Sequence, residues 1–266
     1  MFPAVLVGAL ALTVGFLLLP VVAIFADVSP AELVSSLDDP AARDALVLSL
    51  QTTLTALTII VLVGTPAAWL LATRRFRGRA LLITVIELPL VVPPAVAGVG
   101  LLAALGPAGL LGGALEGAGV RLALETAGVV VALVFVASPF YVRQAIAGFE
   151  SVEPVLLEAS RTLGSSEART FLRVGVPVAR GALVSGGALA WGRALGEFGA
   201  TLIFAGSFRG VTQTAPLAIY ERFATDFPAA LALSAVLVVA AAALLLGVKV
   251  LVGRAPAGPR LGDAAR

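Results

Sequence analysis

The sequence contains six apolar stretches long enough to cross a bilayer, at residues 4–26, 45–73, 80–105, 125–148, 178–205 and 227–252. A helix needs about 20 apolar residues to cross a hydrocarbon core of roughly 30 Å. Charged residues make up only 13% of the chain, and its mean hydropathy is +1.05. A soluble domain carries roughly 25% charged residues, so this chain cannot cover a water-facing surface. It is expected to be an all-α, polytopic membrane protein with a single membrane domain over 1–252.

The first stretch, Ala4 to Ala26, competes with a signal peptide. Met1–Pro3 carries no basic residue and Ile24 spoils an A-x-A pattern before Asp27, so a transmembrane helix is expected instead. The third stretch contains Pro89, Pro93 and Pro94. Each removes a backbone donor, so that span should bend. With no Cys and no His in the chain, disulfides, Cys/His zinc sites and His-based nucleophile sets are excluded.

Basic residues orient the loops. Arg74, Arg75, Arg77 and Arg79 share one side with Arg143, Arg161, Arg169, Arg173 and Arg180, and with Lys249, Arg254, Arg260 and Arg266. Arg43, Arg121, Arg209 and Arg222 lie opposite, and Arg193 lies within a span. Both termini and segment 149–177 are therefore expected in the cytoplasm. The segment 27–44 is acidic and suits the far side. The tail 253–266 contains Pro and Gly and is expected to be disordered.

Segment 149–177 is a polar island in an apolar chain, and it reads as two short helices around a turn. Ser151 or Val152 begins the first, with Glu153 and Pro154 in its first turn. Leu156, Leu157, Ser160 and Leu163 form a partial apolar stripe. Gly164 fits the position after a helix end, where positive φ favours glycine. Ser165 or Ser166 can cap the second helix, with Glu167 in its first turn. Exposed apolar side chains on such a hairpin need a partner surface; the alternative is an amphipathic hairpin lying on the membrane.

The run Glu158-Ala159-Ser160-Arg161-Thr162-Leu163-Gly164-Ser165-Ser166, followed by Phe171 and Val176-Pro177, resembles the "EAA" loop of ABC importer permeases, with Ser160 departing from the usual alanine. Glu87–Gly98 and Arg193–Thr201 resemble the third- and fifth-span signatures of the molybdate/tungstate and sulfate permeases. Thr212–Tyr220 is most like the molybdate branch. The resemblance covers roughly residues 45–250. It implies the transmembrane domain of a type I ABC importer, with six helices, in the cell membrane. It implies a homodimer, two cytoplasmic ATPase subunits that bind ATP and Mg, and an extracytoplasmic oxyanion-binding protein. Glu158, Ala159, Ser160, Leu163 and Gly164 would then couple the chain to the ATPase.

In the fifth stretch Ala188, Gly192, Gly196 and Ala200 recur every four residues, a ladder that lets helices approach closely. Pro93 and Pro94 join Gly192 and Gly196 as packing candidates. Leu189, Arg193, Glu197 and Thr201 form the adjacent row. Arg193 and Glu197 are i and i+4 and can pair. The pair either fixes helix packing or lies at a gate with Thr201 and exchanges partners as the helix moves. Beyond it, Thr212, Gln213, Thr214 and Tyr220 either contact the binding protein or belong to a solvated loop. Hydroxyls and amides there suit an oxyanion in transit.

The leading expectation is a molybdate/tungstate importer subunit, with a sulfate/thiosulfate permease as its rival. An ATPase-independent secondary transporter is the alternative of another class, but it has no need of a docking hairpin. No G-x-x-x-x-G-K-[ST] is present, so the chain itself is not expected to be an enzyme or to bind a cofactor. Lipid is an expected partner; nucleic acid is not.

Overall fold

A computed structural model describes residues 2–29, 31–32 and 37–253, and only the backbone of 248, 249 and 251–253. The predicted tail lies almost wholly outside the described residues, as do Arg254, Arg260 and Arg266. The described secondary structure is helical. Five helices are long and apolar enough to cross a membrane, or six if one bent pair counts as a single span.

The chain divides into two compact units, residues 1–49 with 207–242 and residues 50–206 with 243–266. In the first, helix α1 (Phe2–Ala26) is apolar all round and buries no residue, as expected of a helix that faces lipid. Helix α2 (Pro40–Thr73) starts earlier than its apolar run, because Asp39 accepts the Ala41 N–H at 2.9 Å and so caps it. Ala42, Ala45, Ala218 and Leu233 form this unit's core.

In the second unit the predicted third span is two helices, α3 (Arg79–Val91) and α4 (Pro94–Leu105), bent by 116°. Val92 is extended at φ −70°, ψ 126°, as the residue before a proline prefers, and Pro94 opens α4 where no N–H is required. After the short α5 (Gly112–Gly117) comes α6 (Thr126–Glu150), the most buried span. Its Leu133, Tyr141 and Phe149 centre one apolar cluster. Its Ala132 and Val136 join Ala97, Leu101, Ala200 and Phe204 in another.

The hairpin comprises α7 (Pro154–Thr162) and α8 (Glu167–Thr170). A π turn, Phe171–Gly175, then leads into α9 (Val176–Leu195). The wide turn precedes Pro177, which has no N–H to continue the α pattern, and the Val176 N–H reaches back to the Phe171 carbonyl. The predicted fifth span therefore begins further back and also ends sooner. It breaks at residues 196–198, and a separate α10 (Gly199–Ala205) follows. Helices α11 (Ala215–Thr225) and α12 (Phe227–Gly253) complete the described residues.

Close approach of α9 to α6 occurs at residues outside the predicted ladder; within the ladder, Ala188 and Ala200 are buried. A Cβ on Gly148 of α6 would lie 2.5 Å from Ala182 Cβ of α9, and one on Gly186 would lie 3.0 Å from Gln144 Cβ. Gly192 and Gly196 are exposed, and no side chain among the described residues lies within 4 Å of a Cβ at either. A four-residue spacing identifies a small face on a helix, but not which neighbour fills it.

Candidate functional site

The hairpin helix α7 begins at Pro154 with Glu153 as its N-cap, not at Ser151 or Val152. Ser151 instead closes α6: its N–H donates to the Ala147 carbonyl at 3.2 Å and its hydroxyl to the Gly148 carbonyl at 2.7 Å. The turn after α7 is a Schellman motif. The Gly164 N–H donates to the Arg161 carbonyl at 2.9 Å and the Ser165 N–H to the Ser160 carbonyl at 3.1 Å. Gly164 sits at φ +79° with open space where a Cβ would be, so its requirement is conformational. Of the two serines, Ser166 caps α8, accepting the Arg169 N–H at 3.3 Å.

The coupling candidates separate by direction. Glu158, Ala159, Leu163 and Gly164 are exposed, Leu163 at 86%. Ser160 turns inward, and its hydroxyl shares a 2.9 Å hydrogen bond with that of buried Thr170. Beneath the hairpin, Trp69 stacks edge-on against Phe149 (5.2 Å between ring centres) and tilted against Phe171 (5.4 Å). Any side chain on Gly175 would overlap the Trp69 ring. Glu167 pairs with Arg74, and Arg79 pairs with Glu150 at 2.5 Å. A cleft of about 480 Å³ lies alongside, lined by Arg75, Arg79, Glu150, Leu157, Glu158 and Arg161. The arginine-rich 74–79 loop thus braces the hairpin from which Leu163 projects.

The intramembrane candidates meet at a helix break. Arg193 Nη2 lies 2.6 Å from Glu197 Oε2, with the arginine 27% exposed and the glutamate 1%. Glu197 Oε1 also accepts the Ala200 N–H at 2.8 Å, so the same carboxylate closes the break and caps α10. Thr201, one turn on, is fully buried, and its hydroxyl has no hydrogen-bond partner among the described residues. The two broken spans touch at their breaks. A Cβ on Gly199 would lie 2.9 Å from Pro94 Cβ, and one on Gly98 2.9 Å from the Ala200 carbonyl oxygen. Pro94 thus packs against the second break, and Pro93 precedes α4 as its N-cap.

The outer-segment candidates are placed differently from expectation. Thr212, Gln213 and Thr214 are buried. The Thr212 hydroxyl accepts the Phe208 N–H at 2.9 Å, and Gln213 hydrogen-bonds Glu221. These residues build the loop from within; of the four, Tyr220 is the exposed one, at 61%. Nearby, the Arg222 guanidinium hydrogen-bonds Asp39 and holds its carboxyl below the usual aspartate range, with the Ala41 N–H adding to the effect.

One polar pair was not legible in the sequence. Arg143, grouped above with the loop arginines, lies within α6, 3.5 Å from Glu87 of α3. Both residues fall inside predicted spans, 80–105 and 125–148, but only the packing of α3 against α6 shows that they pair; Arg143 lies two turns inside the α6 end at Glu150.

Residues 60–255 match the family described as "Binding-protein-dependent transport system inner membrane component". The chain is 43% identical over 240 residues to the molybdenum transport system permease protein ModB of Mycobacterium tuberculosis, covering 88% of each chain. It is 34% identical over 233 residues to the sulfate transport system permease protein CysW of Synechocystis, covering 84% of each. In structure it is similar to a chain of a bacterial alginate ABC transporter solved with an alginate pentasaccharide-bound periplasmic protein. That match has a TM-score of 0.75 at 14% identity and covers 94% of this chain and 93% of the other. At that identity the likeness establishes the fold, that of a type I ABC importer transmembrane domain.

Proposed function

Because the chain belongs to the binding-protein-dependent transport system inner membrane component family and is a permease subunit of an ABC importer, we propose that its cargo is molybdate or tungstate. The observation that carries this reading is the gap between 43% identity to a molybdenum permease and 34% to a sulfate permease at nearly equal coverage. Two copies of the chain form the pathway, and an extracytoplasmic binding protein delivers the anion. ATP and Mg stay on two partner ATPase subunits.

The ATPase docks on the exposed face of the hairpin, with Ala159 and Leu163 entering its surface. Ser160 does not face the partner; it locks α7 to the helix behind it through Thr170. Because α8, the π turn and α9 form one continuous run, displacement of the hairpin tilts α9. The far end of α9 is the break held by Arg193 and Glu197, so the tilt strains this ion pair and opens or closes the path beside it.

The test is uptake of labelled molybdate by vesicles carrying the complete transporter. Unlabelled tungstate should compete, and a large excess of sulfate should not. Labelled sulfate uptake that molybdate leaves unchanged would overturn the cargo assignment in favour of a sulfate permease.

A further inference from the structure

The Arg143–Glu87 pair has features that a tie between helices does not need. Helices α3 and α6 are joined at their hairpin-side ends by Arg79 and Glu150 at 2.5 Å. Counting inward from that pair at 1.5 Å per residue puts Glu87 and Arg143 each about 10–12 Å inside. At that depth Arg143 is 70% exposed and Glu87 36%. A guanidinium so exposed within a span is not left facing hydrocarbon; such groups face a water-filled space. The 116° bend of the third span begins a few residues beyond Glu87.

The Arg193–Glu197 pair repeats the pattern. In both pairs the arginine is the more exposed partner, at 70% against 36% and at 27% against 1%. Glu197 is further anchored by the Ala200 N–H. The pairs are also staggered along the direction of the spans. Gly186 of α9 sits against Gln144, the neighbour of Arg143, and Arg193 is seven residues further along α9, about 10 Å on. An arginine already balanced by a carboxylate can attract a dianion without trapping it, which is what conduction through successive sites requires.

We propose that Arg143, poised against Glu87, is a second binding station for the tetrahedral oxyanion, on the hairpin side of the Arg193–Glu197 pair. The assignment rests on the chain importing an oxyanion. It gives the two members of the pair unequal roles: the arginine meets the anion, and the glutamate competes with the anion for it.

The test uses the complete transporter in vesicles, with labelled molybdate as probe and ATP hydrolysis as a second readout. R143Q is expected to lower uptake about tenfold or more, as loss of a charge-assisted contact does, with ATP hydrolysis retained. E87Q keeps the arginine and is expected to lower KM for the anion, with a slower maximal rate because release is delayed. The doubly neutral E87Q/R143Q variant should transport as poorly as R143Q. Recovery of that double variant to within about twofold of wild type would show a helix tie, since a neutral pair replaces a structural ion pair at little loss. Equal damage from E87Q and R143Q would overturn the proposal in the same way, even if the double variant fails to assemble. Wild-type vesicles that import neither molybdate nor sulfate would instead overturn the oxyanion reading itself.

Discussion

The hydroxyls of Ser160 and Thr170 lie 2.9 Å apart and join the two helices of the cytoplasmic hairpin. Thr170 is 1% exposed, so without Ser160 its hydroxyl would be buried and unpaired. Ser160→Ala should destabilise the hairpin by about 1–3 kcal/mol, the cost of an unsatisfied buried group. Ser160→Ala with Thr170→Val removes both polar groups and should restore much of that loss. Hydrogen exchange of residues 154–170 in the assembled transporter measures the difference; equal protection in both variants would remove the link.

Gly164 has open space around it but a φ of +79°. Gly164→Ala should cost about 1–2 kcal/mol from backbone conformation alone, and Gly164→Asn less, because asparagine tolerates the left-handed region. The readout is ATPase retention during purification, graded Gly, Asn, Ala. A variant with alanine that holds the ATPase as well as wild type would show that the turn is not needed for docking.

Glu197 performs two tasks at the helix break. Glu197→Gln keeps an acceptor for the Ala200 N–H but loses the charge facing Arg193. Glu197→Ala loses both, and breaking a buried ion pair in this way costs about 3–5 kcal/mol. Thermal unfolding in detergent should rank wild type above Gln and Gln above Ala, with Gln also impaired in uptake. If the glutamine variant transports normally, the charge has no part in gating.

Gly175 lies against the Trp69 ring with no room for a side chain. Gly175→Ala should destabilise the transporter by about 1–3 kcal/mol through overpacking. A smaller residue at 69, as in Trp69→Leu, should relieve part of this in the double variant. Melting temperatures of the four proteins form the cycle, and strict additivity would argue against contact.

Asp39 gives the start of α2 a pH dependence. Its carboxyl is lowered in the folded chain by the Arg222 hydrogen bond and then by the Ala41 N–H. A lowered pKa contributes stability above the ordinary aspartate value of ~3.9. That contribution is lost as pH falls through the still lower folded value. Exchange protection of the first turn of α2 should therefore hold at neutral pH and fall below about pH 4, and Asp39→Asn should remove the dependence. Protection in wild type that stays constant through that range would contradict the assignment.

Much of this chain was legible because it follows from local rules. Apolar runs near 20 residues must become membrane-crossing helices, since the bilayer leaves backbone groups no other partners. Gly164 after a helical stripe, and a serine at 165 or 166 ahead of Glu167, specify a turn and a cap through contacts only a few residues apart; the structure selects Ser166. The i,i+4 spacing of Arg193 and Glu197 likewise places them within reach. What needed the tertiary structure depends on neighbours distant in the chain. The small-residue ladder identified a helix face, yet only the positions of α4 and α6 decide which small residues are covered: Ala188 and Ala200 are buried, Gly192 and Gly196 are exposed, and close approach to α6 falls to Gly148 and Gly186. Thr212, Gln213 and Thr214 are polar enough for an outer surface but are turned inward to build their own loop. Arg143 falls inside the predicted span 125–148, but its partner Glu87 is more than fifty residues earlier in the chain, so the pairing follows only from how α3 packs on α6. Local chemistry determined the helices, the turn and the polar residues; packing between distant segments determined which of those residues are buried and which pair.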